Sequence, residues 1–566
     1  MSNATCDVSV IVVGGGPVGM TLANLLGVYG VDTVVVERSA DILDFPRAVG
    51  LDDEAMRTFQ AAGVADEMLK DMIQNVPMRM YSARKKCFAE ILPSTREFGW
   101  YRRNLFSQPL GERTLRKAVQ RFPQVKLELG AELLAVSQDE TGVNATVRFA
   151  DGSERVMRAQ YLLGADGGRS TVRERLLKIP FHGNTHARKW VVIECDHDPL
   201  DAPYTALHCE PERPYVCLKL PYGLRRWEFM LFPGEDDEQM LKPEKVRELL
   251  TGHVANPESL NVIRARVYTH HSRIAETFVQ GRICLAGDAA HLSPPWIGQG
   301  LNAGLRDAAN LAWKVAWIVK RRLKPETLQS YHQERYAHTK AMIDLADKVG
   351  AILSQNNKTL AWLRDSFLHA IQGVPRMRDY VMQMKFKPMP RYSEGVVLNA
   401  GAPSQVELVG KMFIQPQVEM ANGKCLRLDD AIGVGFGLLV WGNQPLPGLT
   451  PDLLEKLAAL DCRSLMVVRA RSSDGPGVHP VAPEGVGVIE DAENILHFWF
   501  QKAGVDWVLI RPDRYVAALG TREQLHAVIG RFVDQFAAAA PACETTCIDA
   551  ESSLVEAHPV SAGATQ

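Results

Sequence analysis

Residues 8–37 read VSVIVVGGGPVGMTLANLLGVYGVDTVVVE. The run VSVIVV is short, apolar and β-branched, which predicts a strand buried on both faces. It passes straight into Gly14-Gly15-Gly16-Pro17-Val18-Gly19, and an apolar stretch of helical character follows. A second buried strand, Thr33-Val34-Val35-Val36, ends in Glu37-Arg38. Strand, G-x-G-x-x-G, helix, strand and acid in this order make a dinucleotide-binding βαβ unit. Gly14 permits the tight turn, Gly16 lets the backbone approach a pyrophosphate beside Pro17, and Gly19 lets helix and strand pack closely. The helix N-terminus offers its free N–H groups and positive dipole end to the phosphates. Glu37 stands where a ribose hydroxyl would donate to it, with Arg38 beside it. On this motif alone FAD and NAD remain equally open.

The rest of the 566-residue chain sets bounds on the function. Its 64 Lys and Arg against 66 Asp and Glu leave a net charge of −2, without the basic excess that nucleic-acid binding requires. Ten Cys without CxxC spacing predict free thiols in a reducing cytoplasm, not zinc or a redox dithiol. No apolar run reaches membrane-spanning length, and no basic n-region precedes the first strand. A cytoplasmic protein with neither membrane nor nucleic-acid partners is expected.

Two further motifs narrow the cofactor. Tyr161-Leu-Leu-Gly-Ala-Asp166-Gly167-Gly-Arg-Ser170 reads as a buried strand ending in an Asp-Gly turn. Gly281-Arg-Ile-Cys-Leu-Ala-Gly287-Asp288-Ala-Ala-His291 delivers Asp288 to a loop edge. Pro294-Pro295 and Gly298-Gln-Gly300-Leu301-Asn302 follow and open a helix expected over 302–322. Glycines there allow close backbone approach to a flat ligand.

In this order and spacing the three motifs resemble the class A flavoprotein aromatic hydroxylases, the para-hydroxybenzoate and phenol hydroxylase group, over about residues 8–390. The resemblance implies FAD, with Glu37 on the adenosine ribose and Asp288 on the ribityl chain. It places Asp166 and Gly167 in a fingerprint shared between FAD and the nicotinamide donor, and Arg47 and Gln108 at flavin-contacting positions. The Gly298–Asn302 backbone would face the flavin pyrimidine, where a helix N-terminus favours anionic reduced flavin. Stretches 44–55 (DFPRAVGLDDEA), 98–104 (FGWYRRN), 267–271 (VYTHH), 340–345, 385–390 and 411–416 are similar to the branch acting on 3-(3-hydroxyphenyl)propionate. That likeness implies ortho-hydroxylation of this acid, and of 3-hydroxycinnamate, with NADH rather than NADPH and with O2, through a flavin C4a-hydroperoxide. Two alternatives stay open: a hydroxylase of another phenol or of a polyketide, and a flavin-binding sensor without turnover. A plain NAD dehydrogenase would leave the second and third motifs idle.

The segment 213–232, RPYVCLKLPYGLRRWEFMLF, predicts two strands joined by a Pro-Tyr-Gly turn on the substrate side. Its catalytic candidates are Arg226 for a carboxylate and Tyr215 and Tyr222 for phenol contacts; the competing reading makes Arg225 and Arg226 solvated hairpin residues and the tyrosines packing residues. His270-His271 reads as structural at a strand end, no metal site is expected, and the Trp residues after Asn310 read as core. The expected fold is mixed α/β. A Rossmann-like FAD-binding part (about 1–80, 100–180 and 275–350) is interleaved with a substrate sheet (about 80–100 and 181–274). A linker around 388–405 leads to a thioredoxin-like unit, 406–540, which lacks a dithiol because Cys462 stands alone and which suits packing or a homodimer. Residues 541–566 are expected to be a disordered tail.

Overall fold

The computed structural model describes residues 6–45, 47–400, 402–442, 448–469 and 482–538. The expected tail, 541–566, lies outside these residues, as do Cys543, Cys547 and Gly401. Three sheets organise the chain. In the first, Val8–Val13 pairs in parallel with Thr33–Glu37 and with Glu154–Gly164, so that Ile11 faces both Val34 and Leu162. Val125–Leu129 and Ile283–Leu285 extend the parallel order at either side. Val8–Val13, Thr33–Glu37 and Ile283–Leu285 are mostly buried because packing covers both faces, and parallel pairing requires crossover connections over them. The first crossover is the helix Pro17–Val28, buried from Gly19 to Gly27, and it packs on the helix Gly300–Val319. That second helix starts two residues earlier than expected and stops at Val319, where Arg321 takes a left-handed φ of 54°.

The second sheet has eight strands, ordered His291–Leu292, Val262–Ala275, Phe181–Cys195, Arg225–Met230, Tyr215–Lys219, Thr205–His208, Met78–Tyr81 and Cys87–Ile91. The expected hairpin is present, its turn made by Pro221–Gly223 with Tyr222 at φ 63°. Alternation along these strands sends one set of side chains into a core around Trp227 and Phe229 and the other toward the first sheet.

The third sheet is built on three parallel strands, Phe436–Trp441, Cys462–Arg469 and Val486–Asp491, with Trp507–Ile510 and Val516–Gly520 antiparallel at one side. The stretch 388–405 is not a loose linker. Tyr392, Val396, Val397 and Leu398 are buried, and Leu398 N donates to Ala517 O at 2.8 Å. The prolines there set extended backbone, while the apolar residues between them pack into the third unit's core. That unit rests on the back of the Gly300–Val319 helix through Trp313, Trp317 and Phe436. Beside them lies a buried ionic cluster: Arg511 on Glu334 and Asp513, with Lys314 2.8 Å from Glu334.

Candidate active site

A cavity of about 520 Å³ runs between the first and second sheets, lined at one end by the glycine loop and at the other by the second sheet. The glycines divide by role. A Cβ at Gly14 would meet Ala165 O at 2.4 Å, and one at Gly19 would meet Gly14 O at 1.9 Å, so both serve close packing. A Cβ at Gly16 would meet nothing within 4 Å, because that backbone faces the cavity beside Pro17. An open backbone position at a helix N-terminus fits a pyrophosphate. At the end of its strand, Glu37 accepts from Gly15 N at 2.5 Å and from Ser39 N at 2.7 Å, and it lines the same end of the cavity as Arg38.

The other motif residues converge on this space. Asp166 accepts from the Ser170 hydroxyl at 2.5 Å and from Val172 N at 3.1 Å, which ties off the turn through Gly167; burial raises its pKa. Gln108 accepts from Arg47 N and Ala48 N through Oε1 and donates from Nε2 to Glu112, fixing the loop that carries Arg47. Arg47 lies 3.2 Å from Asp288, and both are part-exposed. Such a pair is worth at most about 1 kcal/mol, so either partner can turn to a ligand. Gly287 does not line the cavity; a Cβ there would meet Val18 at 2.9 Å, so it brings the Asp288 turn against the first helix. Asp307 holds that turn from below, accepting from Gly287 N at 3.0 Å, His291 at 2.6 Å and Arg335 at 2.8 Å. Pro295, Gly298, Gly300, Leu301 and Asn302 line the cavity, with Gly298 at φ 62°. Asn302 accepts from Asp52 N and donates to Gly298 O, so the start of the long helix is held facing inward.

The second sheet supplies the far wall. Trp190 stacks on His270 at 5.7 Å and 10°, and Trp296 stands edge-on to Trp190 at 5.1 Å. Trp296, which precedes Gly298 and Gly300, presses against Gly350, where a Cβ would meet its ring at 2.2 Å. His270 lies within the strand Val262–Ala275, not at its end, and burial pushes it down to about 3, so the imidazole is neutral. Thr205, Val216 and Leu218 complete this wall.

The three catalytic candidates are placed differently from expectation. Arg226 lines the cavity but is buried in an ion pair with Glu194, with Nη2 2.6 Å from Oε1, and it lies 3.5 Å from Glu228. Neither it nor Arg225, which pairs with Asp198, is a solvated hairpin residue. Tyr215 points to the opposite face, stacked on His208 at 4.1 Å, because Val216 and Leu218 take the cavity side of its strand. Tyr222 is exposed at the turn and donates to Asp71. His270, Thr205 and Trp190 were missed. For His270 a signal existed, since Tyr268 and His270 share one strand face; a lone Thr in a four-residue strand offers none.

A further cluster borders the cavity. Asp52, Asp53 and Glu54 converge at the N-terminus of the helix Asp53–Ala61, where Arg306, Lys387 and Arg102 meet them. Arg306 donates to Asp52 and Glu54 and, at 3.0 Å, to Gln299, fastening this helix to the start of the Gly300 helix. Burial, then the neighbouring carboxylates, pushes Asp53 up to about 7.

A family described as FAD binding domain matches residues 7–346, and one described as HcaD C-terminal domain matches residues 410–535. A 3-(3-hydroxy-phenyl)propionate/3-hydroxycinnamic acid hydroxylase of Burkholderia vietnamiensis (strain G4) is 52% identical over 90% of this chain and 93% of its own. The chain belongs to the FAD-dependent aromatic hydroxylases. The correspondingly named protein of Escherichia coli (strain K12) is 40% identical over 93% of this chain and 94% of its own. Among solved structures, aklavinone-11 hydroxylase with FAD and aklavinone is 24% identical with a TM-score of 0.73, covering 94% of this chain and 100% of the other. The flavin-dependent monooxygenase PieE shares the fold at 22% identity and a TM-score of 0.74, with the same coverage. This hydroxylase is a monooxygenase with FAD as cofactor, and among its described residues no helix is long and apolar enough to cross a membrane.

Proposed function

We propose that this hydroxylase converts 3-(3-hydroxyphenyl)propionate and 3-hydroxycinnamate to their 2,3-dihydroxy products, consuming NADH and O2 in the cytoplasmic breakdown of aromatic acids. The observation that carries this reading is the likeness, over nine-tenths of the chain, to relatives named for these two substrates. Bound FAD supplies the redox chemistry, taking hydride from the nicotinamide and delivering one oxygen atom to the ring. The chain's own groups bind and orient. The Gly16 backbone would receive the pyrophosphate, Glu37 the ribose and Asp288 the ribityl hydroxyls. The N-terminal end of the Gly300–Val319 helix would lie against the pyrimidine edge, where its dipole favours negative charge.

Trp190, Trp296, Val216 and Leu218 would enclose the substrate ring and exclude water. A phenol has a pKa near 10 and is a poor nucleophile until its proton is shared. The neutral His270 imidazole is the group we assign to accept the phenol's hydrogen bond. The unit after 406 is read as thioredoxin-like on its order of strands: three parallel strands, then two antiparallel strands and a closing helix. Leu360, Leu363 and Phe367 form an exposed apolar row at helical spacing on the helix Lys358–Gln372, which we read as the surface joining two copies.

The test is substrate-stimulated NADH consumption by the purified FAD-loaded protein, with product mass. Formation of the 2,3-dihydroxy acid supports the reading. Oxidation of NADH that releases only peroxide with this acid, but yields a catechol with another phenol, would replace the substrate.

A further inference from the structure

We propose that Arg103, together with Thr205 of the same cavity wall, is the receptor for the substrate carboxylate. This rests on the acid-substrate reading and names the part of the cavity that makes the substrate an acid. The charges of the cavity wall carry the argument. Arg226 is held by Glu194, Lys387 by Asp52, Arg102 by Asp53 at 3.6 Å, and Arg47 by Asp288. Arg38, Arg116 and Arg169 line the nucleotide end with Glu37, Glu112 and Gly167. Arg103 alone of the substrate-side cations is held by a neutral group: its Nε donates to Val76 O at 3.0 Å. Burial pushes its guanidinium down to about 10.

The surroundings are built for one anion. Val76, Leu105 and Leu218 line the cavity with Arg103 and, with Leu220, form an apolar cluster. Thr205 lies opposite both Leu218 and Met78, and its backbone N donates to Pro77 O at 2.9 Å. The Thr205 hydroxyl is buried and has no hydrogen-bond partner. Arg103, anchored at Val76, and Thr205, anchored through its backbone at Pro77, thus both line the cavity beside this apolar cluster. A carboxylate accepts a bidentate guanidinium pair and still has lone pairs for a hydroxyl donor. A phosphate of the nicotinamide donor has the same chemistry, and the experiment separates the two.

Arg103→Gln, Arg103→Lys and Thr205→Val are compared with the FAD-loaded wild type. Binding of 3-(3-hydroxyphenyl)propionate and of its uncharged counterpart 3-propylphenol is followed through the visible spectrum of the bound flavin. KM and kcat are measured for both phenols and for NADH. Removal of one partner of a desolvated charged hydrogen bond predicts that Arg103→Gln lowers the preference for the acid over 3-propylphenol on the order of 100-fold. The loss falls in Kd and KM, with FAD content unchanged. Arg103→Lys keeps the charge but not the fork and falls between, and Thr205→Val loses about tenfold. An unchanged preference in Arg103→Gln, or in Arg103→Lys and Thr205→Val together should Arg103→Gln not fold, overturns the assignment. So does a rise confined to the KM for NADH, which would make the seat a phosphate site. A wild type that binds the acid no more tightly than 3-propylphenol refutes the acid-substrate reading itself, a result distinct from either.

Discussion

Asp288 is presented to the cavity by a turn that Asp307 holds from beneath, and only an exposed Arg47 competes for its carboxylate. Asp288→Ala should therefore weaken FAD retention about tenfold without unfolding the protein, measured by flavin release on dilution; unchanged affinity would remove Asp288 from the ribityl site. Asp53 gives a pH signature. Its folded pKa of about 7 lies above the ordinary value near 3.9, so the folded state binds more protons between those values and loses stability as pH rises through them. Asp53→Asn should gain stability over the wild type across that window, keep the gain above about pH 7 and show none near pH 4, read from denaturant midpoints. At this scale the sequence was legible where a backbone rule applied, as at Gly14, Gly16 and Gly19. It was not legible for Arg226 and Tyr215, because the inward face of a strand depends on partners such as Glu194 and His208, distant in sequence or on the far side of the sheet.

Among the elements, apolar runs marked the strands well: VSVIVV and Thr33–Glu37 both stand where composition placed them. The stretch around 388–405 was misread because its prolines and glycines outweighed Val396-Val397-Leu398, which bury against a sheet formed about 120 residues later. The joint between that sheet and the long helices depends on Arg511, paired with both Glu334 and Asp513, all fully buried. Arg511→Ala would leave Asp513 without its cation and Glu334 with Lys314 alone, and should cost about 3–5 kcal/mol, seen as an earlier denaturation midpoint. Replacement of the cluster by apolar residues of similar size should recover much of that loss. If Arg511→Ala leaves the midpoint unchanged, the cluster does not join the two units.

For the whole molecule, a net charge of −2 conceals a cavity in which Arg47, Arg102, Arg226 and Lys387 each already have a carboxylate. Arg103, whose Nε is held by the Val76 carbonyl, is the seat we propose for the acid's carboxylate. The Val8–Glu37 unit and the 213–232 hairpin are each local in sequence, which is why they could be read in advance, whereas strands such as Glu154–Gly164 and Ile283–Leu285 join them from afar. The exposed row on the helix Lys358–Gln372 followed from no such motif. Phe367→Asp should shift a dimer toward monomer in size-exclusion light scattering; an unchanged mass would place any subunit contact elsewhere. The most direct test of the central claim is turnover of 3-(3-hydroxyphenyl)propionate with NADH under 18O2, followed by product mass spectrometry. The account predicts a 2,3-dihydroxy acid carrying one labelled oxygen atom, formed only when FAD is bound. Substrate-independent NADH oxidation with unlabelled, unhydroxylated acid recovered would contradict it.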